Sequence, residues 1–164
     1  MQKNLSRRIV ALVLVLAMML SVTPIFAEET AETTEKVFTS TVIENGGDML
    51  KYGHIDIDIV ADDFLQSYAY GDMVTVQVEG YGYYSVPVCA SYDDVAAGEM
   101  LLRAVSGKSY LILAINYGQI ALEAGLIDKA PEGAETTYAV KEGVTFPINV
   151  TIKETATSFT STVI

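Results

Sequence analysis

The residue types that most often carry chemistry are few in this chain. There is one histidine, His54, and one cysteine, Cys89. Neither belongs to a Ser–His–Asp order, a glycine-rich phosphate loop or a Cys/His zinc spacing. A nucleophilic thiol needs a base or a positive field beside it. Cys89 instead sits in the apolar run 86–90, which predicts a buried, inert thiol. Asp56, Asp58, Asp62 and Asp63 offer hard oxygens of the kind calcium takes, but the glycine and distant glutamate of a calcium loop are missing. The alternation of Asp56 and Asp58 with isoleucines predicts a solvated strand face instead. Tyr81, Tyr83, Tyr84 and Tyr92 form a tyrosine-rich stretch; such rings either stack on sugars and bases or pair across strands. These residues predict no metal and no cofactor.

The elements that must position them are mostly strands. Ile55, Ile57 and Ile59 alternate with His54, Asp56 and Asp58, and Val74, Val76 and Val78 alternate with Thr75, Gln77 and Glu79. Period two means one buried face. Val144, Phe146, Ile148, Val150 and Ile152 repeat the pattern, with Pro147 inside it; proline cannot donate to a ladder, which predicts a strand at a sheet edge. Residues 110–115 are apolar on both faces, as in a central strand. Gly80-Tyr81-Gly82 reads as a hairpin turn. One helix is legible over 117–124: Asn116 is placed to cap it, Ile120, Ala121 and Ala124 share a face, and Gly125 closes it. A single further turn is compatible with residues 93–97. The expected fold is all-β, a small antiparallel barrel or sandwich with one short helix, over residues 37–154.

Outside that domain, the chain begins with Lys3, Arg7 and Arg8, then an uncharged apolar run over 9–22, shorter than the ~20 residues that span a bilayer. A break at Pro24 and a small residue, Ala27, follow. This is the order of a secretory signal over residues 1–27, predicting bacterial-type export and a secreted or cell-surface protein. Residues 28–36 read as an acidic flexible leader. The whole chain carries 10 Lys and Arg against 21 Asp and Glu, a net charge of −11, and loss of the signal removes three of those positive charges. Such a surface excludes nucleic acid and anionic membrane as partners, since both are held by positive fields. A lone cysteine allows no internal disulfide, so the domain must rely on its core.

The phrase Phe38-Thr39-Ser40-Thr41-Val42-Ile43 recurs unchanged as Phe159-Thr160-Ser161-Thr162-Val163-Ile164. The interval is about one small domain, so residues 155–164 read as the start of a truncated second repeat.

Four phrases in order, KYGHIDIDI from Lys51, GDMVTVQV from Gly71, VPVCASYDDVAAGEMLL from Val86 and SYLILAINYGQIALEAGL from Ser109, resemble the C-terminal domain of the S-adenosylmethionine hydroxide adenosyltransferase family, relatives of fluorinating and chlorinating enzymes. The resemblance covers roughly residues 50–126. It implies a β-rich nucleoside-binding domain in a trimer. The family's adenine-reading asparagine falls on His54, beside Tyr52 and Gly53, and its base-packing aromatic on Tyr92. A serine and a basic residue near the methionine end fall on Ser106 and Lys108, and an Asn phrase at a helix start on Asn116, Tyr117 and Gly118. This chain departs from the pattern at His54, where the family has asparagine, and at Ile115, where it has a basic residue. The family's carboxylate before the aromatic-Gly is matched only out of register, by Asp48.

In that family the N-terminal domain carries the water-activating aspartate, and residues 28–50 are too few to hold it. The expectation is therefore an exported, non-catalytic β module that binds a nucleoside-like small molecule or serves as an assembly scaffold. Two alternatives are a surface or adhesive module of a tandem array, motivated by the repeated hexapeptide, and half of an S-adenosylmethionine hydrolase completed in trans.

Overall fold

The computed structural model describes residues 35–156; the expected signal over 1–27, nearly all of the leader and the second hexapeptide lie outside them. The described residues form nine strands, β1 (Val37–Thr41), β2 (Ile55–Ile57), β3 (Met73–Val78), β4 (Gly82–Cys89), β5 (Met100–Arg103), β6 (Leu111–Ile115), β7 (Ile127–Lys129), β8 (Tyr138–Val140) and β9 (Asn149–Glu154). Three short helices join them: α1 (Gly47–Tyr52), α2 (Ala61–Leu65) and α3 (Ile120–Glu123), with a 3-10 turn at Tyr92–Asp94. The fold is all-β, as the alternating pattern predicts, with more helical turns than the one expected.

Seven strands form one sheet in the order β1-β9-β3-β4-β5-β6-β2. An antiparallel bridge between Val42 and Ile57, with hydrogen bonds from Ile43 N to Asp56 O (2.8 Å) and Asp58 N to Thr41 O (3.0 Å), brings β2 back to the end of β1. The sheet is thus a nearly closed barrel. β7 and β8 pair separately.

A ring of seven strands cannot alternate direction at every pair, because the last strand must also oppose the first. One pair has to be parallel. It is β4 with β5 (Val88↔Leu102, Cys89↔Arg103), the parallel pair in an otherwise antiparallel sheet. Parallel neighbours need a crossover rather than a hairpin. Residues 90–99 supply it, running over the outer face of β5 and β6.

Inside the barrel, Ile55, Ile57, Val74, Val76, Val86, Val88, Leu102, Leu111, Leu113, Val150 and Ile152 are buried together, with Phe64 and Met49 from α2 and α1. A second, smaller cluster lies under the crossover: Cys89, Leu101, Ile112 and Ala114, with Tyr92, Val95 and Tyr110 packed against it. Residues of β6 are therefore buried on both faces, as its continuous apolar run predicts.

Two strands differ from the expectation. β9 begins at Asn149, after Pro147, and lies between β1 and β3 rather than at an edge. Pro147 has no N–H to donate, so it ends the pattern instead of marking an edge. β2 is buried on both faces, so Asp56, expected on a solvated face, is 2% exposed. The cause is tertiary: α1 and the loop before it cover the side where Asp56 and His54 point.

Candidate functional site

Three segments meet at one end of β6. The first is the turn from α1 into β2. Gly53 closes α1 in the left-handed conformation (φ 78°), a backbone that glycine adopts at no steric cost. A Cβ there would come within 2.7 Å of the Gln119 side chain. Ala121 N also donates to Gly53 O (2.9 Å), fixing α3 against this turn. The second segment is the crossover. Ser91 opens its 3-10 turn with a reciprocal cap, the Asp93 amide donating to Ser91 Oγ (3.4 Å) and the Ser91 amide to Asp94 Oδ2 (2.9 Å). That cap holds Tyr92 in place. The third is the tight turn after β6, where Gly118 N donates to Ile115 O (3.0 Å). Tyr117 takes a positive φ of 60° in this turn, uncommon for a residue with a side chain.

Between them is a cavity of about 450 Å³ lined by Tyr52, His54, Tyr92, Asn116, Tyr117 and Gly118, with Ser91, Asp93, Ile115 and Gln119 completing the wall. Its size falls in the range of small-molecule sites. The His54 ring lies 5.9 Å from Tyr52 and 5.2 Å from Tyr92 between centroids, tilted 31° to each. The Arg103 guanidinium lies over the other ring of this group, 4.7 Å from the Tyr92 centroid, and its Nε donates to Ala90 O (3.2 Å). Tyr117 is 85% exposed, so its ring stands at the mouth.

His54 is 9% exposed, and its Nδ1 is buried with no hydrogen-bond partner. Burial pushes the imidazole below its ordinary range; Asp48 opposes that shift and Arg103 adds to it. A neutral imidazole presents one donor and one acceptor nitrogen; with Nδ1 buried, His54 contributes mainly aromatic surface to the cavity wall beside Tyr52 and Tyr92. Burial likewise raises the Tyr92 hydroxyl, against the pull of Arg103.

Behind this wall lies a second polar group. Asp56 Oδ2 accepts from the amides of Asp48 (3.1 Å) and Met49 (3.3 Å), while its Oδ1 is buried without a partner. Burial first, and then the Asp48 charge, raise its carboxyl to about 6. Tyr110 donates to Asp48 Oδ2 (3.1 Å).

The structure brings His54, Tyr92, Asn116, Tyr117 and Gly118 to one cavity and leaves Ser106 and Lys108 elsewhere. Ser106 donates to Asp62 Oδ1 (2.7 Å), the Gly107 amide donates to Asp62 Oδ2 (3.0 Å), and Lys108 O accepts from Ala61 N (3.0 Å). They tie the β5–β6 loop to α2. Asn116 does not cap a helix. α3 starts later, after Gln119, and Asn116 Nδ2 donates to Val95 O (3.0 Å), fastening the crossover to the β6 turn. The other tyrosines also part company. Tyr83 and Tyr84 lie on β4, Tyr83 accepting from Gln77 across the ladder and Tyr84 donating to Tyr81 O. Cys89 is buried and its thiol is raised by burial, as its apolar run predicts. Arg103 was not legible as part of the site: it comes from an ordinary strand end, and only the parallel pairing of β4 and β5 sets it over Tyr92.

Among the described residues no group of three or more His, Cys, Asp and Glu is placed to hold a metal, and no helix is long and apolar enough to cross a membrane. No protein family and no curated protein matches the sequence. Among solved structures, the chain is similar to an uncharacterized conserved protein from Thermotoga maritima, at 20% identity and a TM-score of 0.49. The alignment covers 71% of this chain and 35% of that protein, so the chain spans about a third of that protein's length.

Proposed function

We propose that this protein is an exported, non-catalytic module whose aromatic cavity binds a planar, nucleoside-like small molecule. The observation that carries the reading is the aromatic wall of the cavity, where the His54 ring lies 5.9 Å from Tyr52 and 5.2 Å from Tyr92. A heteroaromatic base fits, since it offers a flat face to these rings. The likeness of these residues to the adenine end of the adenosyltransferase C-terminal domain supports the same ligand class. The cavity is open on one side, which favours weak binding.

Calorimetry with adenosine, methylthioadenosine and S-adenosylmethionine tests the reading. Binding in the millimolar range or tighter is expected, and His54→Ala and Tyr92→Ala should each weaken it at least tenfold. Ser106→Ala and Lys108→Ala should leave it unchanged. No heat with any of the three at millimolar concentration would discard the nucleoside reading.

One observation favours a second reading, a surface module in a tandem array. The hexapeptide at 38–43 runs through the first strand of the domain, so its second occurrence stands where the first strand of a following copy would begin. DNA coding for a further Tyr-Gly-His and Ala-Ile-Asn-Tyr-Gly pair downstream is the expected result under that reading; coding sequence without them counts against it.

A further inference from the structure

The turn after β6 runs through Ile115-Asn116-Tyr117-Gly118 and is closed by Gly118 N donating to Ile115 O (3.0 Å). Of its two central residues only Tyr117 has a positive φ, at 60°. That is the pattern of a type II turn, whose third position favours glycine. The sequence puts tyrosine there and glycine one place later. Among the described residues, the other positive-φ positions are held by nine glycines and by Asn45. Glycine takes this conformation freely and asparagine tolerates it, whereas a bulky side chain is strained in it. Everywhere else that the chain needs a left-handed backbone, it supplies a permissive residue.

The fold does not repay that strain. Tyr117 is 85% exposed, and its ring belongs to neither of the two hydrophobic clusters. What the residue does border is the cavity. It shares the mouth with Tyr52, which is 49% exposed, while His54 and Tyr92 form the deeper wall. Strained backbone of this kind gathers at ligand clamps, where the contact it makes is with something other than the fold.

We propose that Tyr117 is the closing residue of this site. Its ring turns about the Cα–Cβ bond to cover the outer face of a bound base, and the left-handed backbone is kept for that contact. The role rests on the nucleoside reading above and narrows its ligand class. A base held between rings on two sides is selected by stacking strength, which favours the larger face of a purine over that of a pyrimidine.

Because the ring serves binding and not folding, removing it separates the two. Wild type, Tyr117→Asn and Tyr117→Phe, each as the full chain, are compared by calorimetry with adenosine and with uridine, and by urea unfolding. Asparagine carries no ring and already holds a left-handed position in this chain, at Asn45. Tyr117→Asn should weaken adenosine binding at least about fivefold, the loss of one base–aromatic stack, and narrow the preference for adenosine over uridine. Its urea midpoint should equal or exceed that of wild type. Tyr117→Phe keeps the ring and should bind adenosine as wild type does. Adenosine binding by Tyr117→Asn at wild-type strength would overturn the role and leave the nucleoside reading standing. A lower urea midpoint for Tyr117→Asn would overturn it as well, since the ring would then be part of the fold. If wild type binds neither nucleoside, the nucleoside reading fails and this role fails with it.

Discussion

Asp56 gives a prediction with a definite sign. Its carboxyl moves from 3.8 to about 6 because burial, and then the Asp48 charge, oppose ionisation more than the two amide donors favour it. A raised carboxyl binds its proton more tightly in the folded state, so its contribution favours folding at low pH and is lost as pH rises from about 4 through about 6. At about 1.36 kcal/mol per pH unit, the full loss is about 3 kcal/mol, of which about 2 kcal/mol falls between pH 4.5 and 7.5. Other groups titrate in the same range. His54 works in the opposite sense, since its lowered value makes folding lose stability as pH falls below the ordinary histidine value. The comparison must therefore be between wild type and Asp56→Asn, in which His54 and the surface carboxylates cancel. Asparagine keeps an acceptor for the Asp48 and Met49 amides and has nothing to ionise. Urea unfolding at the two pH values should show the stability of the variant relative to wild type rising by about 2 kcal/mol at the higher pH. A constant offset would show that Asp56 ionises as easily in the folded barrel as in the unfolded chain, and the account of its burial would fail.

Further outcomes are expected from single sites. His54 is the one histidine of the chain, so its ring protons titrate alone in an NMR spectrum; the midpoint should lie below 6.5, and a midpoint at or above that value would mean that burial does not outweigh the Asp48 charge. Asn116→Ala removes the bond to Val95 O and should cost about 1 kcal/mol, with faster amide exchange confined to the crossover. Gly118→Ala places a Cβ 2.5 Å from Ile115 Cγ2; overpacking of this kind costs about 1–3 kcal/mol, and ligand binding should fall with it because Ile115 lines the cavity. Phe64→Ala empties a fully buried site and should cost about 3–5 kcal/mol in urea unfolding.

Much of the barrel is written in local pattern. Val74, Val76 and Val78 announce a strand with one buried face, the run Leu111–Ile115 announces a central one, and Gly80-Tyr81-Gly82 announces the hairpin between β3 and β4. These signals depend on side chains two residues apart along one strand, which is a local property. Of the seven residues that the resemblance singled out, the fold gathers His54, Tyr92, Asn116, Tyr117 and Gly118 at one cavity and places Ser106 and Lys108 against α2. Pattern failed where the answer lay with a neighbour. Pro147 reads as an edge because sequence shows a missing donor but not where the strand begins. Asp56 reads as solvated because its alternation with isoleucine reveals one buried face and is silent about α1 covering the other. Asn116 reads as a cap because its partner, the Val95 carbonyl, is brought near by a crossover that no local signal predicts. That crossover follows from closure: seven strands in a ring require one parallel pair, and closing the ring is a property of the whole chain. The residue types were chosen locally, while the placement of Tyr92 over His54 and of Arg103 over Tyr92 was decided by how the ends of the sheet meet.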